Sequence, residues 1–225
     1  ALILYLAPLG VFALISSVIA TQGFGLIARL LLYEVGLLIA FGLMMGLYSL
    51  ILLVLKAKPL KFFQSFIPTY SLGFGTASSN AILPVAMQDA HERYGMDEAI
   101  ASFALPLGTA LKRDGSAIYQ SFNALFIAQV YQIPITGELL LAIALSTFLV
   151  SYSTAGVPGS GIIMMTTVLT AAGLPVEGVA LVAGVDRLTD GFKTIVNATG
   201  NIANAVILTC WEKPEVNREE TAVEI

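Results

Sequence analysis

Long apolar runs separated by short polar junctions dominate this chain. Residues 1–20 and 24–55 are both apolar enough and long enough to cross a bilayer as a helix, which takes about 20 residues. Two serines interrupt the first run. Arg29 and Glu34 lie within the second, which ends at the basic junction KAKPLK. The pattern predicts an all-α integral membrane protein.

Two later segments are apolar, but neither arm of either segment is long enough to span a bilayer. They carry the small and polar tips TASSNAILP (76–84) and STAGVPGSG (153–161). Two short arms around such a tip are typical of a re-entrant hairpin, whose non-helical backbone must face protein or a water-filled cavity. The alternative is a set of six or seven ordinary full spans.

The distribution of Lys and Arg predicts the orientation of these segments. KAKPLK, HERY and the C-terminal tail carry positive residues, whereas the junctions at PITGE and GLPVEG carry none. Positive residues favour the cytoplasmic side. We therefore expect the first hairpin to enter from the cytoplasm, the second to enter from outside, and the C-terminus to be cytoplasmic.

A polar stripe marks the last apolar segment. Its members recur every three or four residues, which places them on one face of a helix; they are Asp186, Asp190, Lys193, Asn197, Asn201 and Asn204. Such a face cannot point at lipid, where one central charge costs about 3 kcal/mol or more. One interpretation is a ladder that holds helices together. A carboxylate, a cation and amides beside bare hairpin tips favour instead a pocket for a small amino acid, one with an extra carboxylate.

Composition narrows the function further. Charged residues make up 12% of the 225 residues and hydrophobic residues 57%, which is about half the charged share of a soluble domain. The net charge of −4 lies mostly after Trp211 and the remainder is nearly neutral, so the acidity by itself indicates no class of partner. No nucleic-acid partner is expected. One cysteine and one histidine exclude an intrachain disulfide and a multi-histidine metal site. Without a nucleophile–base pair or metal cluster, neither an enzyme nor a cofactor is predicted.

Five motifs in order make the chain resemble the dicarboxylate/amino acid:cation symporter family, which includes glutamate transporters. APLGVFALISSVIA resembles the family's fifth transmembrane helix, and TASSNAILP resembles the tip of its first hairpin. LPLGTALKRDGSAIYQSFNALFIAQVYQI resembles the seventh helix, STAGVPGSG the second hairpin tip, and GVDRLTDGFKTIVNATGN the eighth helix. The resemblance runs from Ala1 to about Glu212.

The resemblance implies an elevator fold with two opposed re-entrant helical hairpins and discontinuous helices. Residues 1–22 are then a scaffold helix, residues 23–212 the transport core, and residues 213–225 a cytoplasmic acidic tail. Within the core it implies helix 6, a first hairpin at about 60–90, helix 7 at about 98–132, a second hairpin at about 137–173, and helix 8 at about 176–211. It also implies four earlier helices and a homotrimer in the inner or plasma membrane.

The resemblance also implies roles for individual residues. Asp190 matches the position that binds the substrate ammonium, and Asn197 the position that binds the α-carboxylate. Lys193 stands where transporters of acidic amino acids carry Arg for the side-chain carboxylate, so L-aspartate and L-glutamate are the expected substrates. Further substrate-lining positions are Ser78, Ser79, Ser116, Val157, Pro158, Gly159 and Thr194.

The cation site departs from the family pattern. Sodium-coupled members read Asn-Met-Asp-Gly-Thr where this chain reads Lys112-Arg113-Asp114-Gly115-Ser116, and they carry an aspartate where this chain has Asn201. The positions concerned are Gly108, Lys112, Arg113, Asp114, Asn197 and Asn201. We expect the Lys112 ammonium to replace a sodium ion and pair with Asp114, so that sodium coupling is lost or altered and transport is proton-coupled or uncoupled.

Three alternatives stay open at this point. Lys112 and Arg113 could pair structurally with Asp114 while sodium still binds to backbone carbonyls. The chain could belong to a sodium-coupled symporter of neutral amino acids or dicarboxylates. From another class, it could be an anion channel or a non-transporting membrane subunit.

Overall fold

A computed structural model describes residues 25–212 together with residues 16 and 20. The expected scaffold helix and acidic tail lie outside the described residues, apart from those two positions. The described residues form helices and no β-strand. The α-helices are α1 Gly25–Val54, α2 Pro59–Ser65, α3 Ile67–Thr76, α4 Ser79–Gln88, α5 Glu98–Leu111, α6 Asp114–Val130, α7 Gly137–Ser153, α8 Ser160–Ala171, α9 Val179–Ala183 and α10 Asp186–Glu212.

Helix α1 presents one buried face and several exposed apolar faces. Tyr33, Leu37, Phe41, Tyr48 and Leu52 recur at helical spacing and are almost entirely buried. Large apolar side chains cover the rest of its surface, where they are exposed. From Ala28 to Val54, α1 is the one described helix that is long and apolar enough to cross a membrane.

Two pairs of helices each join through a short non-helical tip. We call α3, α4 and tip residues 77–78 the first hairpin, and α7, α8 and tip residues 154–159 the second hairpin. Asp89 fastens the open end of the first hairpin, because its Oδ2 accepts hydrogen bonds from Thr69 N and Oγ1 at 3.1 and 2.7 Å. Its Oδ1 pairs with Arg93 Nε at 2.9 Å. A single π-helical turn, Asp89–Tyr94, follows.

The segment expected to form helix 7 is divided into α5 and α6. Lys112 is extended, with φ −88° and ψ 106°, and Arg113 has φ −131° and ψ 45°, so neither continues the helix. The interruption falls at the charged residues that break the apolar pattern.

The segment expected to be one helix over about 176–211 consists of three pieces. A 3₁₀ turn at Val176–Gly178 follows Pro175, then the short α9, and α10 begins only at Asp186. Helix α10 is the centre of the described fold, since it packs against α1, α3, α4, α5 and α6. This position turns most of its polar stripe toward protein: Asp190, Lys193, Asn197 and Asn201 are buried, whereas Asn204 at the end of the predicted stripe is exposed.

Candidate functional site

The tip of the first hairpin turns through a left-handed residue. Ala77 has φ 50° and ψ 35°, which is uncommon for a residue with a Cβ. Ser78 is extended and caps α4, because its Oγ accepts a hydrogen bond from Ala81 N at 3.2 Å. Ser78 and Ser79 are both buried.

The two hairpin tips meet at Gly156. Its carbonyl oxygen accepts hydrogen bonds from Ser78 Oγ at 2.7 Å and from Asn80 N at 3.1 Å. A Cβ at position 156 would lie 2.3 Å from Asn80 Oδ1, so any larger residue here would displace the Asn80 side chain. Of the remaining predicted tip residues, Val157 and Pro158 are exposed and do not join this contact.

One tip also binds the polar stripe of α10 directly. Gly159 N donates a hydrogen bond to Asp190 Oδ2 at 3.0 Å. Lys193 Nζ lies 2.5 Å from Asp190 Oδ1, and the two side chains are 4% and 3% exposed. Lys193 Nζ also lies 5.1 Å from the centre of the Tyr119 ring, within range of a cation–π attraction.

Asn197 holds the first turn of α6 against α10. Its Nδ2 donates to Ser116 Oγ at 3.1 Å, and its Oδ1 accepts from Ser116 N at 3.3 Å. Thr194 Oγ1 donates to the Asp190 carbonyl oxygen within its own helix, at 2.8 Å. The stripe therefore lines the junction between α10, α6 and the second hairpin tip.

Asn201, one turn further along, contacts α5. Its Nδ2 donates to Leu105 O at 2.9 Å and to Thr109 Oγ1 at 2.8 Å. A Cβ at Gly108 would lie 1.7 Å from Asn201 Oδ1, so Gly108 is what lets the amide approach. Gly108 and Asn201 thus contact each other, and both belong to the set of predicted cation-site residues.

Lys112 lies beside Asp114 at the break between α5 and α6. Lys112 Nζ is 2.8 Å from Asp114 Oδ2, and Tyr48 OH donates a hydrogen bond to the same oxygen. The ammonium lies 5.6 Å from the centre of the Tyr48 ring. The Asp114 carboxylate consequently has a built-in cation and a phenol as its partners.

A small cavity of about 10 Å³ joins the two tips, the break and the stripe, about the space of one water molecule. Eight predicted site residues line it: Ser79, Arg113, Ser116, Val157, Asp190, Lys193, Thr194 and Asn197. Lys112, Asp114, Gly108, Asn201, Pro158, Gly159 and Ser78 are not on its wall. Ala77, Ala155, Gly156 and Ser160 complete the wall, and sequence reasoning had not assigned them a role at the site.

Two tyrosines of the site were also missed by sequence reasoning. Tyr119 OH donates a hydrogen bond to Asp186 Oδ1 at 2.5 Å, and its ring contacts Lys193. Because Tyr119 follows Ser116 by three residues in α6, helical spacing could have placed it on the same face as Ser116. Tyr48 comes from the otherwise apolar α1, and nothing in its local sequence indicates that it reaches Asp114. Among the described residues no cluster of three or more His, Cys, Asp or Glu side chains could hold a metal ion.

The profile of the sodium:dicarboxylate symporter family matches residues 1–211. The chain belongs to this family. Members of this symporter family are transporters and not enzymes, and the protein is accordingly a membrane protein.

Individual relatives in the symporter family agree with this assignment. The chain is 36% identical to the proton/sodium-glutamate symport protein of Bacillus subtilis over 213 residues, which is 94% of this chain and 49% of the relative. It is 33% identical to human excitatory amino acid transporter 2 over 96% of the chain and 38% of the relative. A proton/glutamate-aspartate symporter of Bacillus subtilis is 32% identical over 94% of this chain and 51% of the relative. The chain thus spans about half, or less, of the length of these relatives.

Proposed function

We propose that the protein is a secondary active transporter of acidic amino acids whose sodium coupling is lost or altered. The observation that carries the proposal is the buried Asp190–Lys193 pair beside a cavity that both hairpin tips close. Two opposite charges in one buried pocket suit a ligand that carries both charges itself. The names of the relatives, which are glutamate and glutamate-aspartate symporters, support the same substrate class.

The substrate exchanges charges with the buried pair when it binds. Its ammonium takes Asp190, its α-carboxylate takes Asn197, and its side-chain carboxylate takes Lys193. Asp190 and Lys193 each keep an opposite partner throughout, which matters because an unpaired buried charge is strongly destabilising. Lys193 offers a point charge where a guanidinium would offer a planar fork, so acidic substrates bind with less geometric constraint.

The hairpin tips act as gates in this proposal. The hydrogen bonds from Ser78 and Asn80 to Gly156, and from Gly159 to Asp190, hold the pocket shut. Alternating access opens one tip at a time, while re-entrant hairpins from opposite sides and α10 move as a core (residues 23–212) against a scaffold that includes residues 1–22. The assembly is a homotrimer in the inner or plasma membrane, with the C-terminal tail (213–225) in the cytoplasm.

Lys112 carries the altered coupling. Its ammonium pairs with the Asp114 carboxylate that a sodium ion would need as a ligand. A sodium ion about 4 Å from this ammonium would be repelled by roughly 4 kcal/mol at an effective dielectric of 20. Asn201 adds to the effect, because its Nδ2 donates hydrogen bonds to Leu105 O and Thr109 Oγ1. A cation that used these oxygens as ligands would have to displace the amide. Transport is then proton-coupled or uncoupled.

Uptake by purified protein in liposomes tests both parts of the proposal. L-aspartate and L-glutamate should be taken up saturably, and replacement of sodium by choline should change uptake less than about tenfold. A larger loss in choline would support a sodium-coupled symporter, and uptake of L-asparagine or succinate in preference to L-aspartate would contradict the acidic substrate. Non-saturable anion flux would indicate a channel.

A further inference from the structure

Arg113 is the one charged side chain of the cavity wall whose partner is missing from the described residues. Arg113 is only 7% exposed. Yet no described carboxylate forms an ion pair with its guanidinium, and its buried Nε has no hydrogen-bond partner among the described residues. The neighbouring carboxylate, Asp114, is already held by Lys112 and Tyr48. Buried guanidinium groups without an anion are rarely tolerated in proteins.

The position of the guanidinium points to the cavity as the source of that anion. Arg113 lines the same wall as Asp190 and Lys193. Its Nη2 lies 3.1 Å from the place where a Cβ of Gly156 would stand, so the planar group lies against the bare backbone of the second hairpin tip. An anion bound at this wall would therefore lie beside Arg113.

We propose that Arg113 selects the substrate by charge. With Lys193 it supplies one cation for each carboxylate of an acidic amino acid: Lys193 for the side-chain carboxylate, and Arg113, together with the Asn197 amide, for the α-carboxylate. This inference rests on the proposed function and names a residue that the substrate set had not included. Arg113 belongs to the substrate pocket, while the adjacent Lys112 belongs to the Asp114 site.

The charges of the pocket explain the selection. Asp190 contributes one negative charge, and Lys193 and Arg113 contribute one positive charge each, so the empty wall carries a net charge of +1. An acidic amino acid has two carboxylates and one ammonium, a net charge of −1, and it neutralises the pocket. A neutral amino acid leaves one cation unpaired, and a dicarboxylate without an ammonium leaves Asp190 facing a surplus of negative charge. Rejection of a ligand that leaves buried charges unpaired is a general source of specificity.

Substitution of Arg113 tests the inference through a ratio of affinities. The dissociation constants of L-asparagine and L-aspartate are measured for the purified protein in detergent or liposomes, and their ratio reports charge selection. Arg113→Met should reduce this ratio at least tenfold, since a hydrogen bond to a charged group is worth about that factor or more. Arg113→Lys keeps the charge and should retain the ratio within about threefold, because charge rather than the planar fork sets the selection.

A matched control and the contrary outcomes complete the test. Arg187→Met makes the same chemical change on α10 outside the cavity wall and should leave the ratio unaltered. The inference is overturned if Arg113→Met, or Arg113→Gln where the methionine variant does not fold, keeps the wild-type ratio. It is also overturned if Arg113→Lys loses the ratio as fully as Arg113→Met does. Wild-type protein that binds neither L-aspartate nor L-glutamate would overturn the proposed function together with this inference, whereas an unchanged ratio in the variants overturns the inference alone.

Discussion

Lys193 Nζ and Asp190 Oδ1 lie 2.5 Å apart in a pocket where both side chains are almost entirely buried. The two residues stand three positions apart on α10, so the helix itself brings them to one face. With no ligand, each neutralises the other. A zwitterion can replace this contact without leaving either charge unpaired, which is why we propose this pair as the substrate site.

Substitution of Asp190 by Asn should abolish substrate binding. The change removes the partner of the ammonium and leaves Lys193 and Arg113 without a counter-charge, and loss of one member of a buried pair costs about 3–5 kcal/mol. L-aspartate affinity should fall at least about 100-fold by isothermal titration calorimetry. Asp186→Asn is the matched control on the same helix, because Asp186 contacts Tyr119 and not the cavity; an equal loss in both variants would mean that α10 is generally disturbed.

Lys193→Arg should strengthen binding of acidic substrates. Arginine keeps the positive charge and adds a planar fork that receives a carboxylate through two hydrogen bonds. We expect L-aspartate and L-glutamate to bind about three- to tenfold more tightly, while the dissociation constant of L-asparagine stays the same. The expectation fails if L-aspartate binding weakens while L-asparagine binding does not change.

The helical repeat explains why the sequence sufficed for much of the site. Asp190, Lys193 and Asn197 had to share a face of α10, and that face had to be buried because lipid does not tolerate it. The small-residue tips were visible because apolar arms of insufficient length flank them. These features follow from spacing and hydropathy alone, and the structure places the three side chains on one cavity wall.

The sequence could not predict that Lys112 and Arg113 lie on different sides of the helix break, because the backbone geometry of the break decides this. Lys112 and Arg113 are adjacent and both cationic, so composition groups them as one feature. The dihedral angles of the break turn Lys112 toward Asp114 and Tyr48, and Arg113 toward the hairpin tip. Tyr48 reaches the site from a distant apolar helix, and only tertiary packing determines such a contact. The division of residues 176–211 does have a local signal, since Pro175 precedes the 3₁₀ turn, and Gly178 and Gly184 flank the short α9.

Gly156→Ala should hold the hairpin tips apart. The added methyl group would meet Asn80 Oδ1, and the closed contact of the tips would have to loosen. Substrate affinity should fall at least about fivefold, because overpacking a close contact costs about 1–3 kcal/mol. Asn80→Ala in the same protein removes the obstructing amide and should recover most of the affinity, which a double-mutant cycle measures. Additive losses in the double variant would show that the two side chains do not oppose each other in the closed state.

Restoring the family's cation ligands should restore sodium dependence. The triple variant Lys112→Asn, Arg113→Met and Asn201→Asp removes two cations and returns an amide oxygen at position 112 and a carboxylate at position 201; oxygen ligands are what hard cations prefer. L-aspartate binding to this variant should be at least about tenfold tighter in sodium than in choline, with the positive repulsion of roughly 4 kcal/mol removed. Arg113→Met alone is the control: it leaves Lys112 on Asp114 and should bind equally in both salts. Equal binding of the triple variant in sodium and choline would contradict the proposal. It would mean that the Lys112 ammonium is not what excludes sodium, since removing it and restoring the family's ligands had no effect.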